Sequence, residues 1–262
     1  WGDVQASDIH TKAPKYRDRI VVTGNPRLDL LRPEFRQIFY PAAQRLREQH
    51  GRFILINTNF GRFNHHLGKD AAIELARARG LIDTPEKDTY QRQWSEFVGT
   101  LFEKFSDFIP QLSSAFPEHN IVLRPHPSEN HQTWRNNVDG IPRVSVIHEG
   151  NVIPWLMASE AIVHNSCTTA LEAYLLGVPS VCYRPVTSEF YEAYLPNVVS
   201  HEALDAKTLI THLMKITEKQ VSFPSQASAE ARRHIASLEG EFASERVVSA
   251  LLEIGIDPQR FD

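Results

Sequence analysis

Cysteine is scarce in this chain: only Cys167 and Cys182 stand among 262 residues. One falls in a turn and the other in an apolar strand, which excludes a disulfide framework and makes a reducing cytoplasm the expected setting. No apolar run approaches the roughly 18 residues that a membrane-spanning helix needs, so no transmembrane segment is expected. A basic excess is also missing. The 28 Lys and Arg are outnumbered by 32 Asp and Glu, for a net charge of −4, and that balance gives a nucleic acid no electrostatic footing. The Gly-x-Gly-x-x-Gly, Gly-Lys-Ser/Thr and Gly-x-Ser-x-Gly signatures are absent, which removes the usual anchors of dinucleotide, ATPase and hydrolase readings. His65 and His66 are adjacent, so their side chains splay apart, and no partner stands at a metal-ligand spacing. No metal and no cofactor are expected.

What is present is enough apolar material, 42% of the residues, for one large α/β domain. Apolar strands are expected at 19–24, 52–57, 120–124, 143–148, 161–165 and 180–183. Helical spacing recurs from Pro33 to Gly51, in 70–79, 94–116 and 154–159, and again in 209–216, 227–238 and 244–254,. Continuous apolar strands such as Phe53–Ile56 suit a sheet covered on both faces. The alternation predicts an α/β fold, a Rossmann-like doubly wound parallel sheet whose ligands gather at the carboxyl ends of its strands. The expected organisation is a leading segment 1–18, the Rossmann-like domain 19–204 with a polar insertion or lid at 58–93, and helices 205–262 packing on that domain. The chain opens without Met inside what reads as an ordered stretch, so it is expected to be part of a longer protein.

One segment speaks most directly of chemistry. A strand at 161–165 runs into a hydroxyl-lined turn and a helix, and Ser166, Thr168 and Thr169 would there join free helix N–H groups in holding a phosphate. Arg124-Pro-His-Pro127 closes another strand. The two prolines hold His126 in an extended, rigid segment from which its imidazole could donate to a phosphate oxygen, and Arg124 adds either a second anion donor or a structural ion-pair partner. Gly24 and Asn25 close the expected first strand and could let a phosphate approach the backbone, or could form an ordinary turn. Asn57-Thr-Asn-Phe60 is a further polar strand end. Glu149 and Val152 bracket a loop whose backbone could face a nucleobase, with Glu149 itself either a base or simply a solvated carboxylate. Glu172, in the first turns of the helix after Thr169, could accept from ribose hydroxyls, or could be a plain acid favoured by the dipole at a helix amino end.

Taken together, Val22-Thr-Gly-Asn-Pro-Arg-Leu-Asp-Leu-Leu-Arg-Pro33, Ile56-Asn-Thr-Asn-Phe60, Arg124-Pro-His-Pro-Ser-Glu129 and the helix Ser166-Cys-Thr-Thr-Ala-Leu-Glu172 resemble the bacterial surface carbohydrate biosynthesis proteins, which are similar to GT-B glycosyltransferases of capsule and lipopolysaccharide assembly. The resemblance covers roughly residues 1 to 200. It implies the donor-binding C-terminal half of a GT-B architecture, a metal-independent transferase, a nucleotide-sugar donor and a glycan or lipid-linked acceptor. A location in the cytoplasm, peripheral at the inner face of the inner membrane, would follow. His-Pro followed by a Ser/Thr pair also looks like the motifs of sialyltransferases and Kdo transferases, which implies a CMP-activated sugar held by His126, Thr168 and Thr169. Nonhydrolysing UDP-GlcNAc 2-epimerases share a similar Thr-Gly-Asn, and poly(glycerol phosphate) transferases a similar Arg-x-His-Pro. An epimerase, a CDP-glycerol-type phosphotransferase and a non-catalytic nucleotide-binding module are therefore the rival readings. The acceptor domain and its acidic catalytic residue have no match in this chain and are expected in a missing N-terminal domain.

Overall fold

A wholly parallel sheet of six strands organises the computed structural model, which describes residues 1–255. From the amino terminus come α1 (Asp3–Lys12), a 3-10 turn (Pro14–Arg19), α2 (Pro26–Asp29) and α3 (Tyr40–His50). Next are β1 (Phe53–Asn57), α4 (Ala71–Ala78), α5 (Pro85–Ala115), β2 (Asn120–Arg124), α6 (His131–Asn137) and β3 (Val144–Val146). The second half continues with α7 (Val152–Ala158), β4 (Ala161–His164), α8 (Thr169–Leu176), β5 (Ser180–Tyr183), α9 (Tyr194–Val198) and β6 (His201–Ala203). Three helices close the chain: α10 (Ala206–Thr217), α11 (Ala227–His234) and α12 (Ala243–Glu253).

The described chain divides into two compact units, one of residues 39–224 and one of residues 1–38 with 225 onward. The larger holds the sheet, in the order β3-β2-β1-β4-β5-β6. Its strands are buried on both faces. Ile54, Ile56, Ile121, Leu123, Ala161 and Val163 meet the apolar side of α5, where Phe102, Phe105, Phe108, Ile109 and Leu112 lie. Each such large side chain contributes about 1.5–3 kcal/mol by leaving water. On the other face α7 touches β1, and α8 touches β4 and β5. Strand order reverses between β1 and β4, and at such a switch point the connections leave in opposite directions and open a crevice at the carboxyl edge,.

The fold is the expected one, with local differences. Residues 20–25 pair with no strand and Val21 is 60% exposed, so the first expected strand is absent. Its apolar run finds no ladder partner, and unpaired backbone does not make a strand. The short β6 was not expected. His201-Glu-Ala203 shows no apolar run, and only its pairing with β5 makes it a strand. α5 starts at Pro85 rather than Trp94. Thr84 accepts from Lys87 N–H at 3.3 Å, Pro85 takes the first turn, and the polar residues 86–93 form solvent-facing turns that carry no apolar period,. The expected C-terminal block divides, because α10 packs on β4, β5 and β6 whereas α11 and α12 belong to the smaller unit. Cys167 and Cys182 are both buried free thiols. Among the described residues no helix is long and apolar enough to cross a membrane.

In the smaller unit α1 packs on α11, and α2 on α12. Buried Asp29 accepts from Ala243 N–H at 3.0 Å and Ser244 N–H at 2.9 Å, so a remote carboxylate satisfies the free amides and dipole of the α12 amino end,. Gly24, at φ +88°, has Ala236 O and Ala243 Cβ where a Cβ would stand. Asn25 caps α2 by accepting from Arg27 N–H at 3.1 Å. Both of these sequence-level candidates thus have local structural work within their own unit.

Candidate functional site

The crevice at the carboxyl edge is built by the loops that follow β1, β2, β4 and β5. Asn57, the last residue of β1, stands opposite Arg124 of β2 on one side and His164 of β4 on the other. Neighbouring strands lie about 4.8 Å apart, so the ends of β2 and β4 are separated by about 10 Å, a span that a phosphate or diphosphate ester can bridge. Asn165 crosses the switch point, accepting from Asn59 N–H at 2.9 Å and donating to Asn59 O at 3.4 Å.

Glu129 organises the loop after β2. Its carboxylate is 2% exposed and accepts from the Thr58 hydroxyl at 2.7 Å, Phe60 N–H at 3.0 Å, His126 N–H at 3.0 Å and Trp134 Nε1–H at 2.7 Å. Burial pushes this carboxyl up, against the pull of those four donors. It ties the β1 loop to the His126 loop. His126 is exposed, and its Nδ1 accepts from Ser128 N–H at 3.2 Å and lies 2.7 Å from Ser128 Oγ. That network assigns the proton to Nε2, which meets no acceptor among the described residues. Desolvation, and then the neighbouring His148, hold the imidazole below its usual value. Near neutral pH it is an uncharged N–H donor. His148 Nδ1–H donates to Pro125 O at 2.7 Å, and its ring lies 5.1 Å from that of His131.

Arg124 is placed differently from the sequence expectation of an anion donor. Its guanidinium is buried, and its terminal nitrogens donate to Glu149 O at 2.9 Å and Gly150 O at 2.7 Å. The structural alternative is the one realised, with carbonyls rather than a carboxylate as partners. Arg124 thereby positions the loop in which Glu149 is exposed and after which half-buried Val152 begins α7. Trp155 Nε1–H also reaches Glu149 O, at 3.0 Å.

The turn after β4 is held from beneath by His164. This imidazole is fully buried, and desolvation lowers its pKa to about 3. Nδ1 accepts from Cys167 N–H at 3.2 Å, so Nε2 carries the proton and donates to Ser200 Oγ at 2.8 Å. The Ser200 hydroxyl donates in turn to Pro196 O at 2.7 Å. Above this relay Ser166 adopts φ +52°, a left-handed conformation uncommon for a residue with a side chain and a mark of functional sites. The N–H groups of Ala170 and Leu171 are taken by Cys167 O and Thr168 O, both at 3.0 Å. The Thr168 N–H meets no acceptor among the described residues, whereas Thr169 turns both its hydroxyl, at 3.2 Å, and its N–H toward Cys167 Sγ. Glu172 is buried in the first turn of α8.

Between these loops and α5 lies a cavity of about 560 Å³, lined among others by Asn59, Arg62, Ser128, Asn165, Ser166 and Trp94. Ser128 links it to His126, and Ser166 opens the turn that leads to Thr168. The larger unit therefore brings His126, Ser166, Thr168 and Thr169 to one edge. Glu129, Asn165, His164 and Arg62 were not singled out from sequence. Glu129 lay inside a quoted motif and Asn165 at the end of an expected strand, but nothing in their spacing announces that one gathers four donors and the other bridges two loops.

No protein-family model matches the chain, and no curated protein matches it in sequence. Solved structures do match. The Methanocaldococcus jannaschii UDP-GlcNAc 2-epimerase in complex with UDP-GlcNAc and UDP gives a TM-score of 0.52 at 13% identity, over 91% of this chain and 56% of that one. A histidine-to-alanine variant of the wall teichoic acid polymerase TagF gives 0.54 at 13% identity, over 94% of this chain and 54% of that one. The chain thus spans about half the length of these solved structures. At such identity the likeness is one of fold, and this chain has the Rossmann-like α/β architecture of the GT-B type that the two proteins carry.

Proposed function

We propose that this chain is the donor-binding portion of a metal-independent, nucleotide-sugar-dependent glycosyltransferase of bacterial surface polysaccharide synthesis, with a CMP-activated sugar as donor. One observation carries the reading: neutral donors without acceptors, the His126 Nε2–H and the Thr168 N–H, stand on the loops after β2 and β4, which flank β1 at the carboxyl edge beside the switch point. Preorganised donors of this kind stabilise the negative charge that grows on a leaving phosphate, and they do so without reorganising during the reaction. The nucleoside would lie along the Glu149–Val152 loop, which Arg124 holds, with Glu172 near the ribose. The acceptor and the catalytic acid or base would come from a further domain, and the enzyme would work in the cytoplasm at the inner face of the membrane.

Calorimetric titration of the chain with CMP, CDP and UDP tests this. Removing a hydrogen bond to a charged phosphate costs about 1.5–3 kcal/mol, so His126→Ala should weaken nucleotide binding by about tenfold or more. Equal binding by both proteins overturns the assignment. The fold neighbour solved with UDP-GlcNAc supports the epimerase as a second reading, and turnover of UDP-GlcNAc by the longer protein would favour it.

A further inference from the structure

We propose that the cavity between α5 and the carboxyl edge is a subsite for an oxyanion carried by the unit that the donor transfers, and that Arg62 grips it. This rests on the donor reading above. Its basis is a charge without a counter-charge. Arg62 is half-buried and lines the cavity. Its guanidinium lies 3.6 Å from the Trp94 ring centroid and one nitrogen donates to Gln91 Oε1. Both partners are neutral, and no carboxylate pairs with it among the described residues. The carboxylate that lines the same cavity, Glu192, is already taken. Arg184 holds both its oxygens at 2.6 Å, and Ser188 N–H donates to one of them at 2.7 Å. Cations removed from water are ordinarily paired, and a ring face offsets only part of that cost. Desolvation accordingly pulls the guanidinium below its usual value.

The group is also fixed in place. Trp94 is stacked on Tyr191, with centroids 6.2 Å apart and planes 11° apart, and the Ser95 hydroxyl donates to Arg62 O at 3.3 Å. Ser128 and Ser166 line the same cavity. Since Ser128 is bonded to His126 and Ser166 leads to Thr168, the cavity begins where the proposed phosphate contacts end. The occupant is therefore what the phosphate carries. A guanidinium fork suits a sugar carboxylate and a polyol phosphoester alike, and the chemistry shared by the two is an oxyanion on the transferred unit.

Binding of CMP, CMP-N-acetylneuraminate and CDP-glycerol is measured by calorimetry on wild type, Arg62→Gln and Arg62→Lys. For one of the two donors Arg62→Gln should lose about tenfold or more in affinity, Arg62→Lys should lose less, and binding of CMP should be unchanged. In parallel, the Trp94 indole N–H resonance, assigned with Trp94→Phe, is followed during addition of N-acetylneuraminate, glycerol 3-phosphate or N-acetylglucosamine. A shift with one of the acids and none with the neutral sugar is expected, and the acid that acts tells carboxylate from phosphoester. Equal loss of CMP and donor binding would overturn the proposal by assigning Arg62 to the nucleotide. Unaltered donor binding with a silent Trp94, while CMP still binds, would overturn it and leave the donor reading standing. Failure of CMP to bind wild type while an acid still shifts Trp94 would support the oxyanion subsite and sink the donor reading.

Discussion

The two edges of the sheet are both polar and both cationic, yet they are finished differently. At the amino edge lies the larger cavity, about 1010 Å³, with Arg47, Arg52, Glu160 and Lys219 in its lining. Its charges are mostly spent on the protein itself. Arg52 pairs with Glu160 at 2.7 Å, His119 reaches the same carboxylate at 2.9 Å, and Arg47 donates to Met157 O and Ala158 O. Burial works against the Glu160 charge, but the bonds from Arg52 and His119 prevail and hold its pKa low. Lys219 stands exposed at the rim. At the carboxyl edge the cavity is smaller, but Arg62 has no anionic partner, and the His126 Nε2–H and the Thr168 N–H have no acceptor, within the described protein. Size alone selects the wrong cavity. Unsatisfied hydrogen-bonding capacity selects the edge at which parallel sheets take ligands.

Three changes would break or sharpen that contrast. The largest effect belongs to Glu129→Ala, which strands four donors, three of them in or beside the two loops. A cost of at least about 3 kcal/mol is expected, since each buried donor left unpaired costs about 1–3 kcal/mol, and chemical denaturation would read it. A loss below 1 kcal/mol would mean that the loops are held by other means. His164 supplies a comparable effect through pH. Its folded pKa, about 3, lies below the ordinary histidine value of 6.5, so the unfolded chain binds the proton first as pH falls. The stability this neutral imidazole provides is whole above pH 6.5 and drains away toward pH 3. Between pH 7 and pH 4 the loss should be about 3 kcal/mol, seen as a falling denaturant midpoint whose slope His164→Gln flattens; a slope unchanged in the variant would contradict it. The smallest effect is at the amino edge. Arg52→Ala should barely move the denaturation midpoint, because an ion pair this exposed contributes little, and nucleotide affinity should not change. A loss of binding there would erase the distinction between the edges.

The comparison also explains what could be read beforehand. β1, β2, β4 and β5 announce themselves because both faces of a central parallel strand are buried, which leaves an unbroken apolar run. β6 and the first nine residues of α5 left no such mark, since one is made by pairing and the others are solvent-facing turns held by a capped start. In the candidate site, His126 was legible from its flanking prolines and Ser166, Thr168 and Thr169 from their place after a strand. Arg124 was legible as a residue of note but not in its role, because only the folded loop brings Glu149 O and Gly150 O to its guanidinium. Gly24 and Asn25 read as a strand end and proved to be a packing glycine and a helix cap.

The order of apolar runs and turns along this chain was sufficient to determine a layered α/β body and the set of loops at its carboxyl edge, because burial and hydrogen bonding within each element are local demands. Which polar groups on those loops are consumed and which are left over was decided only in three dimensions. Glu129 collects donors from three segments, Asn165 closes a gap between strands more than a hundred positions apart in sequence, and Glu192 is withdrawn by Arg184, leaving Arg62 without a counter-ion. Satisfaction of a charge is a property of neighbours in space, and spacing along the chain does not specify them.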